Sequence, residues 1–360
     1  MLKIIKASSY NIVLGNEALK QLTVFLKKTK YSSYFILCDE NTLQHCLPEL
    51  VLSCKLLKDA EIIEIESGES SKSIEIVTHC WQTLLENNAD KNTLLINLGG
   101  GVVSDLGGFI AATYKRGIDF VNIPTTLLAM ADASVGGKTG IDFSSIKNSI
   151  GVIIQPKGVF VYSGFLKTLP YRHMVNGFAE ILKIALIQDK TFFNKISTKI
   201  IDNSFDDTAI ITKSIELKNS IVKTDPNEKG IRKILNFGHT VGHAIESLFL
   251  QKQNSLLHGE AIAIGLAIES YLSFLLKRIS KEEFDKIIFC LKLHFEFPAI
   301  ELGDLANFYN YLKHDKKHKN NQHQLSLLKG IGNCDIDVKV SQVQLQKAIV
   351  FYNSKIADAS

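Results

Sequence analysis

Short apolar runs alternate with stretches of helical spacing through the first half of the chain. Tyr34–Cys38 is one such run, closed by Asp39-Glu40-Asn41, and Ile62–Ile65 is another, followed by apolar positions at helical spacing over Ile74–Leu85. Thr93–Leu98 reads as a buried strand that breaks at Gly99-Gly100-Gly101, and an apolar helix follows from Val102 to about Tyr114. Phe120–Ile123 and Val159–Tyr162 read as further strands. This alternation predicts an N-terminal α/β domain with an open, mostly parallel, Rossmann-like sheet.

The texture changes after about Phe165. Helical spacing dominates over His173–Gln188, Ile210–Lys223, Phe237–Leu250, His258–Leu276 and Lys281–Leu293, and only Leu325–Leu328 reads as a strand. The expected division is therefore an α/β domain at 1–165 and a mainly α-helical C-terminal domain at 166–360. His314–Gln324, polar and rich in lysine, reads as an exposed loop. Open α/β sheets bind ligands at the carboxyl ends of their strands, so the cleft between the domains is the expected site.

Composition narrows the class. The 360 residues are 46% hydrophobic and 22% charged, with a net charge of +4. That excess is too small for a nucleic-acid protein, and no basic stripe interleaves with aromatics. The N-terminus lacks a signal-peptide pattern, and no apolar run reaches the roughly 18 residues of a membrane span. Cys38, Cys46, Cys54, Cys80, Cys290 and Cys334 are scattered without a CxxC pair, so they read as reduced thiols. A cytoplasmic enzyme is expected.

Several motifs carry candidate chemistry. Gly99-Gly100-Gly101 lies between strand and helix, where backbone amides can hold a pyrophosphate, although a tight turn alone would also use it. Asp39, at an earlier strand end, could take ribose hydroxyls or simply cap a helix. Gly137-Lys138-Thr139 resembles the close of a P-loop, but Asp132 occupies the first glycine position and Pro124–Ala131 does not read as a lead-in strand. An NTPase loop is rejected; a glycine-flanked lysine suited to an anion remains.

His239 and His243 stand four apart on one helical face, and His258-Gly259-Glu260 opens the next helix. Glu180 and Lys183 stand three apart on another. Two or three histidines and a glutamate, without cysteine, form the ligand set of a catalytic zinc with an open position. Thr240 follows the first histidine where a zincin needs glutamate, so a metalloprotease is excluded. Spacing leaves open which histidine ligates and which faces substrate. Arg116, Lys138, Lys147, Lys183, Lys218, Arg232, Lys316 and Lys317 supply positive charge; most lysines are solvated surface, but Arg232 directly precedes the Asn236/His239 turn. A substrate with phosphate and carboxylate groups would use such a supply.

At these residues the chain resembles the 3-dehydroquinate synthase family of sugar-phosphate cyclases. The likeness runs through Ser67–Lys72, Gly99–Asp105, Pro124–Ala129, Asp132–Gly140, Lys147-Asn148, Gly177–Glu180, Leu235–Glu246, His258–Glu260 and Asp315–Lys317. The resemblance implies zinc (or cobalt) held by Glu180, His239 and His258, with His243 turned toward substrate. It implies NAD contacts from Asp39, Asn41, Glu69, Lys72, Gly101, Val102, Val103, Ser104, Asp105, Thr125, Thr126, Lys138, Lys147, Phe165, Leu166, Lys167 and Thr168. Asp132, Lys138, Asn148, Lys183, Lys218, Glu228, Arg232, Asn236 and one of Lys316 and Lys317 would line the substrate pocket. Arg116 would reach a neighbouring subunit's pocket, which implies a homodimer.

The implied reaction is a lyase step of the shikimate pathway, leading toward aromatic amino acids. 3-Deoxy-D-arabino-heptulosonate 7-phosphate would become 3-dehydroquinate and phosphate through transient oxidation by NAD, phosphate elimination, reduction, ring opening and aldol closure. Three positions depart from the family pattern: Asp142, Ile146 and Pro226. Three other readings share parts of this apparatus. A cyclase acting on a substrate without a carboxylate would keep zinc and NAD, a metal-dependent glycerol or alcohol dehydrogenase would make net NADH, and an idle NAD-binding regulator would have no use for the Glu180/His239/His258 set.

Overall fold

The structure is a computed structural model that describes residues 2–144, 146–202, 205, 207–250, 252, 255–315 and 322–357, without the side chains of 146, 302 and 313–315. Its elements run β1 Lys3–Lys6, β2 Asn11–Leu14, α1 Ala18–Lys28, β3 Tyr34–Asp39, α2 Glu40–His45, α3 Leu47–Ser53, β4 Glu61–Ile65, α4 Ile74–Glu86, β5 Leu94–Gly99 and α5 Gly101–Thr113. They continue through β6 Asp119–Pro124, β7 Lys138–Phe143, β8 Ile146–Ile153, β9 Gly158–Val161, α6 Tyr171–Gln188, α7 Lys190–Ile196 and α8 Thr208–Thr224. The last part holds α9 His239–Phe249, α10 His258–Leu275, α11 Lys281–Lys292, α12 Leu305–Asp315, β10 Gln322–Leu328, β11 Cys334–Ser341 and α13 Gln342–Lys355.

Two units emerge, and their chain segments interleave. The first comprises Met1–Pro170 with Asn203–Lys223, the second Tyr171–Asp202 with Thr224–Ser360. The division is thus not a single cut at 165/166. The chain returns from the helical half to the first unit for most of α8, where Asn219 Nδ2 donates to the Lys6 carbonyl at 3.0 Å and Lys3 pairs with Glu216.

The first unit is built on a seven-stranded sheet in the order β1-β2-β9-β6-β5-β3-β4. Only the β1–β2 pair is antiparallel. β5 is buried along its whole length, as its sequence predicts for a strand covered on both faces. A core formed by Phe35, Leu37, Val77, Leu95, Leu106, Ile110 and Phe120 joins β3, β5 and β6 to α4 and α5. α5 lies close on its sheet because Gly107 has no side chain. A methyl there would fall 1.9 Å from Asn97 Oδ1 on β5, and Asn97 is itself hydrogen-bonded to Asn122 at 2.9 Å.

The second unit is helical, with α10 buried along most of its length at its centre. The apolar spacing predicts α6, α9, α10 and α11 to within a few residues and misses α7, α12 and α13. It also predicts a loop over His314–Gln324, whereas α12 extends to Asp315 and β10 begins at Gln322; 316–321 lie outside the described residues. β10 does not stand alone, since β11 pairs with it antiparallel. The β7–β8 hairpin was equally hidden in the sequence. Its ladder closes over Gly140 facing Gly151, where backbones meet without side chains, so no apolar alternation marks it. Among the described residues, no helix is long and apolar enough to cross a membrane.

Gly107→Ala sets two effects against each other. Alanine favours a helix by about 1 kcal/mol, while overpacking costs about 1–3 kcal/mol. The severity of the overlap puts the cost at the upper end, for a net loss of about 2 kcal/mol. Urea unfolding should show a lower midpoint than wild type; an unchanged midpoint would mean α5 is free to shift off β5.

Candidate functional site

In the first unit the sheet reverses its order of winding between β3 and β5, which pair in parallel while their onward connections lead to opposite sides. Ligands of open sheets bind outside such strand ends. Asp39 ends β3 and caps α2, accepting from Thr42 N–H at 2.8 Å in a capping box. Asn41 is exposed on the first turn of that helix. Gly99 ends β5, and Gly100 precedes α5 without any side-chain cap, leaving the helix N-terminus to its backbone amides. Gly101 to Asp105 form the first turns of α5. Thr125 and Thr126 follow β6, with Thr125 N–H bonded to the Gly99 carbonyl at 3.0 Å.

Two buried hydroxyls here, Ser104 Oγ and Thr125 Oγ1, have no hydrogen-bond partner within the protein. Buried polar groups are normally satisfied. Their orphaning at an uncapped helix start fits a site for a polar, anionic group such as a dinucleotide.

Beside this turn lies a charge network. Lys72 is 3% exposed and bonds Asp105 Oδ2 at 3.0 Å, with Glu69 Oε1 at 3.6 Å and Asn148 Oδ1 also in contact. Burial would lower the Lys72 pKa, but Asp105 and Glu69 hold it above the ordinary lysine value. Burial raises the Asp105 carboxyl, and Lys72 opposes that rise. Lys147 pairs with Glu69 at 3.7 Å. The departure at Asp142 takes part in this network, since its Oδ1 accepts from Asn148 N–H at 2.7 Å and its own N–H donates to the Lys72 carbonyl. Asn148 stands at a φ of 50°, a left-handed conformation this bond helps to hold.

Lys218 reaches Asp132 at 2.8 Å. Lys138 begins strand β7, and a short helical segment, Ala129–Ala133, precedes it. Gly-Lys-Thr therefore opens a strand where a P-loop would open a helix. Phe165, Leu166, Lys167 and Thr168 form a 3-10 turn after β9. Arg116 is exposed, at a φ of 63°.

The second unit gathers the histidines and Glu180. α6 presents Glu180 and Lys183, each 2% exposed and in direct charge contact. His239 and His243 come from α9 and His258 from the first turn of α10; one ring nitrogen of each lies within 4.8 Å of the others. Glu180 Oε1 stands 3.4 Å from His239 Nε2 and 3.5 Å from His258 Nε2. The opposite ring nitrogens face supporting acceptors. His239 Nδ1 lies 3.3 Å from the Phe237 carbonyl and His258 Nδ1 lies 3.4 Å from Glu246 Oε2. A metal-binding histidine is usually held in this way, by an acceptor on the nitrogen that does not ligate.

Electrostatics agree. Burial raises the Glu180 carboxyl, yet Lys183 and His258 together bring it down to about 2. Burial lowers His258, yet Glu246 and Glu180 raise it to about 10. The pocket favours a positive charge beside Glu180. Neither Glu180 oxygen accepts a well-aligned hydrogen bond, although both are buried. Carboxylate and imidazole donors with orphaned oxygens fit a zinc-type cation.

Arg232 is 2% exposed, so it is not a surface arginine; its Nη1 donates to the Pro226 carbonyl at 2.7 Å. The Pro226 departure thus costs nothing in this contact, which uses the carbonyl. Asn236 donates to Glu228 at 2.9 Å. Lys316 and Lys317 lie outside the described residues.

Some supporting residues escaped the sequence reading. Glu246 lies three positions after His243 on α9, a spacing that could have flagged it. Arg172 forks onto Glu260 at 2.7 Å, and Asn176 accepts from Gly259 N–H, so α6 docks on the turn that carries His258. Glu269 is a buried carboxylate after the apolar run Ala261–Ile268 of α10, a signal that does not by itself say which groups it meets.

An open parallel sheet with a helix start at its switch point, and a helical unit with a carboxylate among three histidines, are the architecture of a two-unit α/β and helical enzyme. Residues 62–176 match the 3-dehydroquinate synthase N-terminal family and residues 177–318 the 3-dehydroquinate synthase C-terminal family. The chain belongs to the 3-dehydroquinate synthase family. It is 38% identical to a 3-dehydroquinate synthase of Parabacteroides distasonis over 96% of this chain and 98% of that one. It is 35% identical to that of Rippkaea orientalis over 97% of each. A crystal structure of 2-deoxy-scyllo-inosose synthase complexed with carbaglucose-6-phosphate, NAD+ and Co2+ superposes with a TM-score of 0.85 at 23% identity, covering 97% of this chain and 99% of that one. The 2-epi-5-epi-valiolone synthase of Streptomyces hygroscopicus subsp. jinggangensis 5008, with NAD+ and Zn2+ bound, gives 0.83 at 25% identity and 99% of each.

Proposed function

We propose that this enzyme converts 3-deoxy-D-arabino-heptulosonate 7-phosphate to 3-dehydroquinate and phosphate, using NAD and zinc or cobalt. The observation that carries the reading is the buried Glu180 beside His239 and His258, intact in a chain matched to 3-dehydroquinate synthases along nearly its full length. Bound at these residues, NAD would supply reversible hydride removal, and the metal would act as a Lewis acid on a substrate hydroxyl.

The chain's own groups divide the remaining work. Glu180, His239 and His258 would hold the metal, while Glu246 and the Phe237 carbonyl keep the ligating nitrogens aimed. His243 would face substrate. The α5 N-terminus, Ser104 and Thr125 would receive NAD, with Asp39, Glu69, Lys72, Lys147 and the Phe165–Thr168 turn around it. Lys138, Lys183 and Lys218 would hold phosphate oxygens; Asp132, Asn148 and Glu228 would orient hydroxyls and lysines. Arg232 and Asn236 would hold the carboxylate. The substrate's own phosphate can take the proton released in elimination, so no protein base is required.

Turnover should proceed with far less NAD than substrate, releasing phosphate and dehydroquinate together with no steady rise in NADH. Chelation should stop it and added zinc restore it. Stoichiometric NADH would point to a dehydrogenase, and full activity without metal would remove Glu180 and the histidines from the reaction.

Arg232 distinguishes the synthase from cyclases of neutral sugars. Truncating one partner of a buried charge pair costs about 2–5 kcal/mol, and about 1.4 kcal/mol is tenfold. Arg232→Ala should therefore lower kcat/KM by roughly thirty- to several thousand-fold. The loss should nearly vanish on an analogue without the carboxylate. If wild type handles acid and analogue equally, the carboxylate site is misassigned.

The reading includes a homodimer in which Arg116 serves the neighbouring subunit. Mixing Arg116→Ala with Lys183→Ala subunits should then regain activity, because one pocket of the mixed dimer keeps both groups. Mixed dimers that form but stay inactive would return Arg116 to its own subunit.

A further inference from the structure

Glu269 lies past the middle of α10 and is fully buried, directly after the apolar run Ala261–Ile268. A carboxylate there is expensive unless its oxygens are matched. Both are. Oε2 accepts from Gly238 N–H at 2.6 Å and Oε1 accepts from Val241 N–H at 3.1 Å.

Those two amides flank His239. They belong to the start of α9, whose own N-cap, Gly238, has no side chain to satisfy the free amides of the first turn. The carboxylate of a second helix does what a serine or aspartate cap would ordinarily do. Its charge also meets the positive end of the α9 dipole. The approach is possible only because the backbones nearly touch. A methyl at Gly265 would fall 1.9 Å from the Gly238 carbonyl oxygen, and one at Gly242 would fall 3.1 Å from the Ala261 carbonyl oxygen. Gly238 has a φ of 79°, which glycine adopts without strain.

α10 therefore touches the histidine cluster twice. Its first turn supplies His258, and three turns on Glu269 grips the amides on either side of His239. The distance between these two ring positions is fixed by one rigid helix. From this geometry we infer that Glu269 is a positioning residue for the metal site: it locks the first turn of α9 so that His239 is set against His258 and Glu180 before any metal arrives.

This rests on the reading of His239 as a ligand, and the test separates the two. The full-length chain, stripped of metal, is titrated with Co2+ and followed by its visible absorption. Glu269→Gln keeps the shape but puts an amide donor against an amide donor. It should bind Co2+ about 10- to 100-fold more weakly, the usual effect of losing a supporting contact, with an altered visible spectrum. Ser280→Ala removes the cap of α11 instead and serves as a stability control. It should bind Co2+ as wild type does. A Glu269→Gln chain with wild-type affinity and spectrum would overturn the inference while leaving the metal site standing. Wild type that takes up no Co2+ would overturn the metal reading and this one with it. Hydrogen exchange on wild type decides the matter even if Glu269→Gln does not fold. The Gly238 and Val241 amides should be protected before Co2+ is added, and free exchange until Co2+ binds would overturn the preset geometry.

Discussion

Glu180 sits 2% exposed in the middle of α6, against Lys183 and within 3.5 Å of two imidazole nitrogens. Withdrawing a carboxylate from water costs several kcal/mol, recovered only by close and well-made partners. That constraint organises the helical unit. α6 must bring the lysine on its own next turn, α9 and α10 must bring the histidines, and each histidine then needs an acceptor behind it. Glu246 serves His258, and Glu269 sets the turn that carries His239. Arg172 and Asn176 tie α6 itself to the turn that carries His258. Glu246 and Glu269 are thus each matched by a group of the helix they face, while Glu180 is held by the charge of Lys183 beside the two imidazoles.

The α/β unit meets a different demand with a different device. Its strands end on backbone groups, and the chemistry there comes from what is left without a partner. The start of α5 has no side-chain cap, and Ser104 and Thr125 keep buried hydroxyls without acceptors. The nearby charges are satisfied instead, through Lys72, Asp105, Glu69 and Asn148. A site of this kind holds a ligand by groups the protein leaves open, next to groups it has already fixed.

Strands β3, β4, β5, β6 and β9 with α4 and α5, the helices α6, α8, α9, α10 and α11, and the residue types of the histidine–carboxylate cluster were legible along the chain, whereas β1, β2, α1 and α13 were not. Periodicity records which face of an element is buried, and that information is local. His239, His243 and His258 stood out by their spacing at two helix starts and Glu180 by its place beside Lys183, while the particular set Glu180, His239 and His258 came from the family resemblance. The glycine turn was legible for a local reason, since a strand that stops at three glycines can only turn tightly.

What the tertiary structure decided was every relation between positions far apart in sequence. α8 packs with the sheet unit although its own spacing is that of any amphipathic helix. The β7–β8 hairpin exists because Gly140 and Gly151 let two backbones meet, which neither strand shows alone. Arg232 became a buried group only when its turn folded around it. Glu269 found its partners on a helix about thirty residues earlier in the chain, across an approach that glycine makes possible. Burial preference is a property of single residues and short windows, so the sequence alone determined it. Which buried groups meet is a property of packing, and only the folded chain could decide that.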